Sequence, residues 1–349
     1  MQAVAWFKDV GIADRPTVGG KGGSLGELTQ AGIDVPPGFV VTTAAFEQFL
    51  AKLEAVEPIR PRVEELDPAD LGAATSLSER LRARVMGEAM PAEVEDALRA
   101  AHAELCPDGQ PVAVRSSATT EDAEDASFAG LQDTFLWVLD AEAMIHFVRE
   151  CWASLYSVES MIYRRKQDFP EDGVAMAVVC QRMVDARCAG VMFTRSPTTG
   201  DKSVITIEGA WGLGSAVVSG EVTPDRWVMG KITGEISVRD ISDKHARQVP
   251  APEGSGIVEV ENEADKRSAP CLTDDELMAL REVGRKIERH YGKPQDIEWA
   301  LDQQGKVLLL QSRPETVWAV KDAEAKPVAT PGGNAMTHVM GIFTGGVKK

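Results

Sequence analysis

The chain has 349 residues and a formal net charge of -17, too long for one typical domain and too acidic to present a general nucleic-acid surface. Its five cysteines, Cys106, Cys151, Cys180, Cys188 and Cys271, make no CxxC pair, which argues against a disulfide framework or a zinc site and for a reducing, cytoplasmic setting. No secretory signal opens the sequence and no apolar run reaches the length of a membrane span, so no membrane partner is expected. Any site for a polyanion must therefore be assembled locally, from a few lysines, arginines, backbone N–H groups and a metal.

In chain order, the first chemical candidate is VGGKGGSLGEL at 18–28, a glycine-rich loop running into Leu25 and Leu28 at helical spacing. Such backbone at a helix start can wrap a phosphate, with Lys21 adding a mobile charge; a flexible turn accounts for it equally well. Neither the Walker nor the Rossmann glycine spacing is present. Pro36, Pro37 and Gly38 then fix a turn before a short β-branched strand, and Thr42 or Thr43 can cap a helix through Leu50. Residues 60 to 104 are charged and rich in Ala and Leu, with Pro91 suited to a first helical turn, and read as scaffold. PVAVRSSATTED at 111–122 is a strand with Arg115 at its end. Its planar guanidinium can hold two phosphate oxygens at once, or else pair with Glu121 or Asp122. The loop from Gly130 to Thr134 can supply backbone and hydroxyl donors. A strand through Val178 leads into the connector Gln181-Arg182-Met183-Val184, where a base can bond the main chain while Met183 packs on its face or joins the core. Residues 190–197 and 204–214 read as strands ending in turns, and a loop over 219–225 leads to Arg226 and Trp227. A helix follows, with a capping box of Thr273 and Glu276, an apolar face of Leu277, Leu280, Val283 and Ile287, and Gly292 as its stop.

That helix delivers the chain to DIEWALDQQGKVLLLQSRP at 296–314, two apolar runs around a Gly-containing connection, hence a β-hairpin. With a four-residue loop, Gln303 to Lys306, Glu298 faces Gln311 and Asp296 faces Arg313 on one side of the ribbon. A three-residue loop sets Glu298 against Leu310 and sends Gln311 to the other side. In the first register a carboxylate beside an amide oxygen suits Mg²⁺, which takes oxygen ligands and leaves room for substrate phosphates; otherwise the hairpin is a surface element with incidental polar residues. After Trp318 the composition turns to Lys, Ala, Pro and Gly, a tail or linker.

Taken together, GGK21G, VR115SSAT, SFAG130, Q181xM183V, GVMFT194, WGLG214, P224D and DIE298W…Q311SR313P resemble the ATP-grasp nucleotide-binding domain shared by phosphoenolpyruvate synthase, pyruvate phosphate dikinase and rifampicin phosphotransferase. The likeness runs over about residues 15 to 318. It implies an α+β ATP-grasp fold of two subdomains, 1–185 and 186–318, with the nucleotide between them and residues 319–349 as tail. It further implies that Glu298 and Gln311 carry Mg²⁺, that Lys21, Arg115 and Arg313 hold phosphates and act in catalysis, and that Gly130, Thr134 and the stretch Gln181, Arg182, Met183, Val184 hold ATP. One departure is Ser215, where family members commonly have Glu, which puts that loop's contact with nucleotide in doubt.

In those enzymes a mobile domain carries a histidine that is phosphorylated from ATP, with AMP and phosphate released. GGNAMTH at 332–338 echoes that segment, yet eleven residues follow His338, and the echo is assigned to chance. The layout resembles the ATP-binding subunit of two-component aryl phosphate synthases, such as phenylphosphate synthase, which implies a partner subunit bearing the phosphohistidine and a phenol site. A stand-alone ATP-grasp kinase or ligase and a non-catalytic nucleotide sensor are the alternatives.

Overall fold

Two antiparallel sheets follow one another along the chain in the computed structural model, which describes residues 2–119, 133–316, 318 and 321, and the backbone of 122–123 and 126–127. The first sheet draws on β1 (Val4–Trp6), β2 (Gly38–Val41), β3 (Val112–Ala118), β6 (Thr134–Val138) and β7 (Met176–Arg182), in the order β1-β2-β7-β3-β6. The two-residue strands β4 (Asp122–Ala123) and β5 (Ala126–Ser127) pair with each other. β2 and the first six residues of β7 are buried throughout. Their near-continuous apolar sequences, rather than an alternating pattern, reflect cover on both faces.

Helices α1 (Arg15–Gln30), α2 (Thr43–Glu54), α3 (Arg60–Glu64), α4 (Leu71–Gly87), α5 (Ala92–Leu105), α6 (Ala141–Ser154) and α7 (Val158–Lys166) supply that cover. The Thr42 hydroxyl accepts from Ala45 N–H at the start of α2. Phe49 then stacks on Trp152 of α6 at 5.2 Å inside the core that α4 and α5 complete through Leu77, Leu81 and Leu98. The scaffold expected over 60–104 is this helical layer.

The second sheet contains β8 (Ala186–Phe193), β9 (Val204–Trp211), β10 (Asp225–Gly230), β11 (Ile236–Asp240), β14 (Gln295–Asp302) and β15 (Val307–Pro314), ordered β11-β10-β9-β8-β14-β15. Beside it lie the short α8 (Ser215–Val218), a ribbon of β12 (Ala246–Pro250) and β13 (Ile257–Glu261), and α9 (Ala264–Arg267). The expected helix is α10 (Asp274–Tyr291). Thr273 and Glu276 make a reciprocal capping box, and Gly292 ends it with φ 67°. Leu277, Leu280 and Ile287 of α10 pack with Trp227, Trp299 and Leu28 in the second core. The expected α+β class is what the chain adopts.

The glycine-rich run is helical rather than a loop. α1 breaks at Gly19 (φ 71°), where a Cβ would lie 2.1 Å from the Ser117 carbonyl oxygen, and at Gly26 a Cβ would lie 2.2 Å from that of Val10. The glycines let this helix lie against neighbouring backbone, and close packing overrides their weak helix propensity. From this position α1 reaches both sheets, Lys21 Nζ donating to Ser116 O at 3.0 Å and the Ser24 hydroxyl to Ser312 O at 2.6 Å. Residues 1–315 form one unit and 316–349 a second; most of the expected tail, His338 included, lies outside the described residues.

Candidate active site

The hairpin of β14 and β15 combines both registers weighed from sequence. At its tip Asp302 N–H donates to Lys306 O and Gly305 N–H to Asp302 O, leaving the three-residue loop Gln303 to Gly305, with Gly305 at φ 81°. That register runs on through Trp299 opposite Leu309. A bulge at Leu310 then shifts the pairing by one residue, so Glu298 faces Gln311 and Asp296 faces Arg313. A β-bulge sets two residues against one and re-aims the side chains beyond it. Here it returns Gln311 to the face of Glu298 and turns out the Leu310 carbonyl.

Arg115 of β3 meets this site. Its Nη2 donates to Glu298 Oε2 at 3.0 Å and to Gln311 Oε1 at 2.6 Å, while Nη1 donates to the bulge carbonyl of Leu310 at 3.1 Å. The guanidinium is 11% exposed and Glu298 28%. The alternative partners Glu121 and Asp122 have side chains outside the described residues. Two hard oxygens, one anionic, converge on one cationic nitrogen, a donor set that fits Mg²⁺ supplemented by phosphate oxygens. Among the described residues there is no group of three or more His, Cys, Asp or Glu side chains suited to a metal.

A cavity of about 470 Å³ opens beside Arg115, within the size range of nucleotide and cofactor sites. Arg115, Thr134, Gln181, Arg182, Met183, Val184 and Glu298 all line its mostly apolar wall. The Gln181 and Arg182 side chains are turned to structural work, bonding the Pro36 carbonyl at 3.2 Å and the Leu105 carbonyl respectively. Main chain is therefore what this connector can offer a ligand. Lys21 is buried against β3, one residue from Arg115 in its bonding to Ser116 O, and is not in the wall. Arg313 also lies off the wall, half exposed on the hairpin with Nε 3.6 Å from Asp296. Gly130 lies outside the described residues.

Burial raises the Asp296 carboxyl to about 6, against the opposing pull of Arg313. Its Oδ1 is buried and unpartnered among the described residues. Glu208, on β9 next to β8, is likewise pushed up by burial, with Arg226 opposing. Several wall residues carried no sequence signal. The Leu310 carbonyl is exposed by a bulge that composition does not mark. Ser215, the departure from the family pattern, sits in the wall on α8 and bonds Gln248 of β12, whose amide donates to Glu221 at 2.7 Å.

A family model described as pyruvate phosphate dikinase, AMP/ATP-binding domain, matches residues 15–332. The chain belongs to that family. Among relatives of this AMP/ATP-binding domain, a probable phosphoenolpyruvate synthase from Methanothermobacter thermautotrophicus is 42% identical over 329 residues, 93% of this chain and 48% of the relative. A rifampicin phosphotransferase from a Streptomyces species is 43% identical over 313 residues, 89% of this chain and 35% of the relative. The chain thus spans about half or less of the length of these relatives. A structural likeness to D-cycloserine synthetase DcsG covers 82% of this chain and 59% of that one, at 10% identity and a TM-score of 0.30. No helix among the described residues is long and apolar enough to cross a membrane.

Proposed function

We propose that this AMP/ATP-binding domain is an ATP-grasp module that binds ATP with Mg²⁺ in the Arg115 cavity. It directs the phosphoryl group to a histidine brought from outside the described residues, with ATP and water yielding AMP, phosphate and phosphohistidine. The observation that carries this is the Arg115 fork, held between Glu298, Gln311 and the Leu310 carbonyl at the edge of a mostly apolar cavity.

In this reading the base lies against the Gln181–Val184 connector, between subdomains 1–185 and 186–318. The polyphosphate reaches Arg115, and Lys21 and Arg313 join it there when the site closes, with Gly130 and Thr134 contributing donors. A guanidinium presents two parallel N–H donors to a phosphate, so Arg115 can exchange its protein acceptors for phosphate oxygens without losing its geometry. Glu298 and Gln311 would hold Mg²⁺, which supplies charge neutralisation for the transferring group. What remains for the protein is positioning, and catalysis of this class is mainly that.

None of the histidines His102, His146, His245 and His290 lines the cavity. We place the receiving histidine on a partner subunit and a phenolic compound as final acceptor, in the manner of two-component aryl phosphate synthases; the module works in the cytoplasm. Product analysis tests the reaction class. AMP and phosphate, formed when a histidine-bearing partner is supplied, support it. Rapid partner-independent formation of ADP favours a stand-alone kinase, and no turnover with any partner favours a sensor.

A further inference from the structure

Among the described residues β6 is the edge strand of the first sheet, and it carries a bulge. Val138 faces Val112 and Phe135 faces Val114, so Leu136 and Trp137 both stand opposite the single residue Ala113. Where a bulge residue lies in the left-handed region it is normally glycine. Here it is Trp137, at φ 58°, a conformation that a bulky side chain keeps only where its surroundings impose it. Leu136 of the same bulge lines the Arg115 cavity. The Trp137 carbonyl is left to the strand's outer edge, which pairs with whatever donor reaches it.

What reaches it is the tip of the β12–β13 ribbon. Gly256 N–H donates to Trp137 O at 3.1 Å, and Leu139 N–H, just beyond the strand, donates to the Ser255 hydroxyl at 3.1 Å. The body of the ribbon rests on the cavity wall beside α8. Leu213 N–H donates to Gln248 O at 3.2 Å and the Ser215 hydroxyl to Gln248 Oε1, and Leu213 and Ser215 both line the cavity. The root is firmly held. Lys244, before β12, is fully buried with Asp225 of the Pro224-Asp pair, Nζ donating to Oδ1 at 2.5 Å, while the Asn262 amide, after β13, donates to Lys244 O at 2.7 Å. The tip, APEGSG at 251–256, is pliant, with Gly256 at φ 111°.

We propose that the β12–β13 ribbon is a strap tying the α8 wall of the cavity to the β6 wall, buckled to the β6 bulge by Gly256 and Ser255, and that nucleotide enters and leaves when this buckle opens. The exposed Ser255 bond and the strained Trp137 make the buckle the point at which the strap gives way. Ser24 to Ser312 O and Leu309 N–H to Asp34 O tie the two sheets elsewhere, so the fold does not depend on it. This rests on ATP occupying the Arg115 cavity.

The test is stopped-flow binding of ATP with Mg²⁺ to the full chain, read by tryptophan fluorescence with Trp299 of the wall as reporter. Calorimetry supplies Kd and thermal unfolding confirms folding. Ser255→Ala removes the acceptor of Leu139 N–H. Gly256→Pro removes the donor to Trp137 O together with the conformation that delivers it. Glu253→Ala alters the same tip without removing either bond. Neither Ser255 nor Gly256 lines the cavity, so the buckle makes the same bonds whether it is empty or filled, and opening it more often speeds entry and exit alike. Association and dissociation rates should each rise about threefold to tenfold in Ser255→Ala, the effect of one net hydrogen bond, and at least as much in Gly256→Pro. Kd should stay unchanged, and Glu253→Ala should match wild type. Unchanged rates in both buckle variants overturn the strap while leaving the nucleotide site standing. Faster dissociation with unchanged association also overturns it, because the ribbon then supports the wall without gating it. An equal rise in Glu253→Ala overturns it by tracing the effect to the charge of the tip. Wild-type protein that binds no ATP, or binding indifferent to Arg115→Lys, overturns the cavity reading and the strap with it.

Discussion

Replacing Arg115 by lysine keeps the charge and removes the fork. In the free protein the guanidinium satisfies three acceptors, Glu298, Gln311 and the Leu310 carbonyl, at 3.0, 2.6 and 3.1 Å. A single ammonium on a different stem cannot meet the acceptors of both Nη1 and Nη2, so at least one of the two polar side chains or the bulge carbonyl loses its partner. Each such bond contributes about 1 kcal/mol net, more when an ion takes part. With Arg115 11% exposed and Glu298 28%, the loss should be roughly 2 kcal/mol. For a unit of this size that lowers Tm by about 3 °C. The assay is thermal unfolding of Arg115→Lys, Glu298→Gln and the double variant, without nucleotide. The double variant should fall short of additivity by about 1–2 kcal/mol, because the two side chains are in direct contact. Adding ATP with Mg²⁺ should raise the wild-type Tm far more than that of Arg115→Lys. Additive losses would show that Arg115 and Glu298 are not coupled, and an unchanged Tm shift by ATP in Arg115→Lys would remove the fork from the nucleotide site.

Glu298→Gln should keep the fold and abolish Mg²⁺-dependent tightening of ATP binding, read by calorimetry with and without the metal; retention of that tightening removes Glu298 from the metal site. Asp296 has its folded-state carboxyl raised to about 6 from 3.8, so the folded state binds the extra proton and stability falls as pH rises between about 4 and 6. Asp296→Asn should remove that slope, gaining up to about 3 kcal/mol relative to wild type at pH 7 over pH 4; parallel Tm–pH curves contradict it. Gly19→Ala must place a Cβ 2.1 Å from the Ser117 carbonyl at φ 71°, and should cost about 3 kcal/mol or more in denaturant unfolding; a loss below 1 kcal/mol would mean that α1 and β3 separate easily.

Local chemistry was legible in the sequence, and long-range closure was not. The capping box of Thr273 and Glu276 and the stop at Gly292 depend on residues within one helix, and α10 is where they put it. The Glu298–Gln311 pairing was also visible, though for an incomplete reason. The loop has three residues, and only the bulge at Leu310 restores the expected face. No propensity marks that bulge, because it is stabilised by Arg115, 195 residues away in sequence. The glycine run around Lys21 read as a loop since glycine weakens isolated helices. Contacts with Val10 and Ser117, which no local pattern reveals, make a helix without Cβ atoms the fitting solution there. The Pro36-Pro37 turn was legible as a turn, while its bond to the end of β7, Arg182 N–H donating to Pro37 O, became visible only with the strand register.

Under the proposed function, a phosphoryl group of ATP passes to a histidine on another polypeptide. The purified chain, Mg²⁺ and a candidate histidine-bearing partner would be incubated with ATP labelled at the β position and, separately, at the γ position, and the products separated by chromatography and gel electrophoresis. The β label should appear on the partner as an acid-labile, base-stable adduct while γ label is released as phosphate and AMP accumulates. γ label on an acceptor with ADP as the product would contradict it.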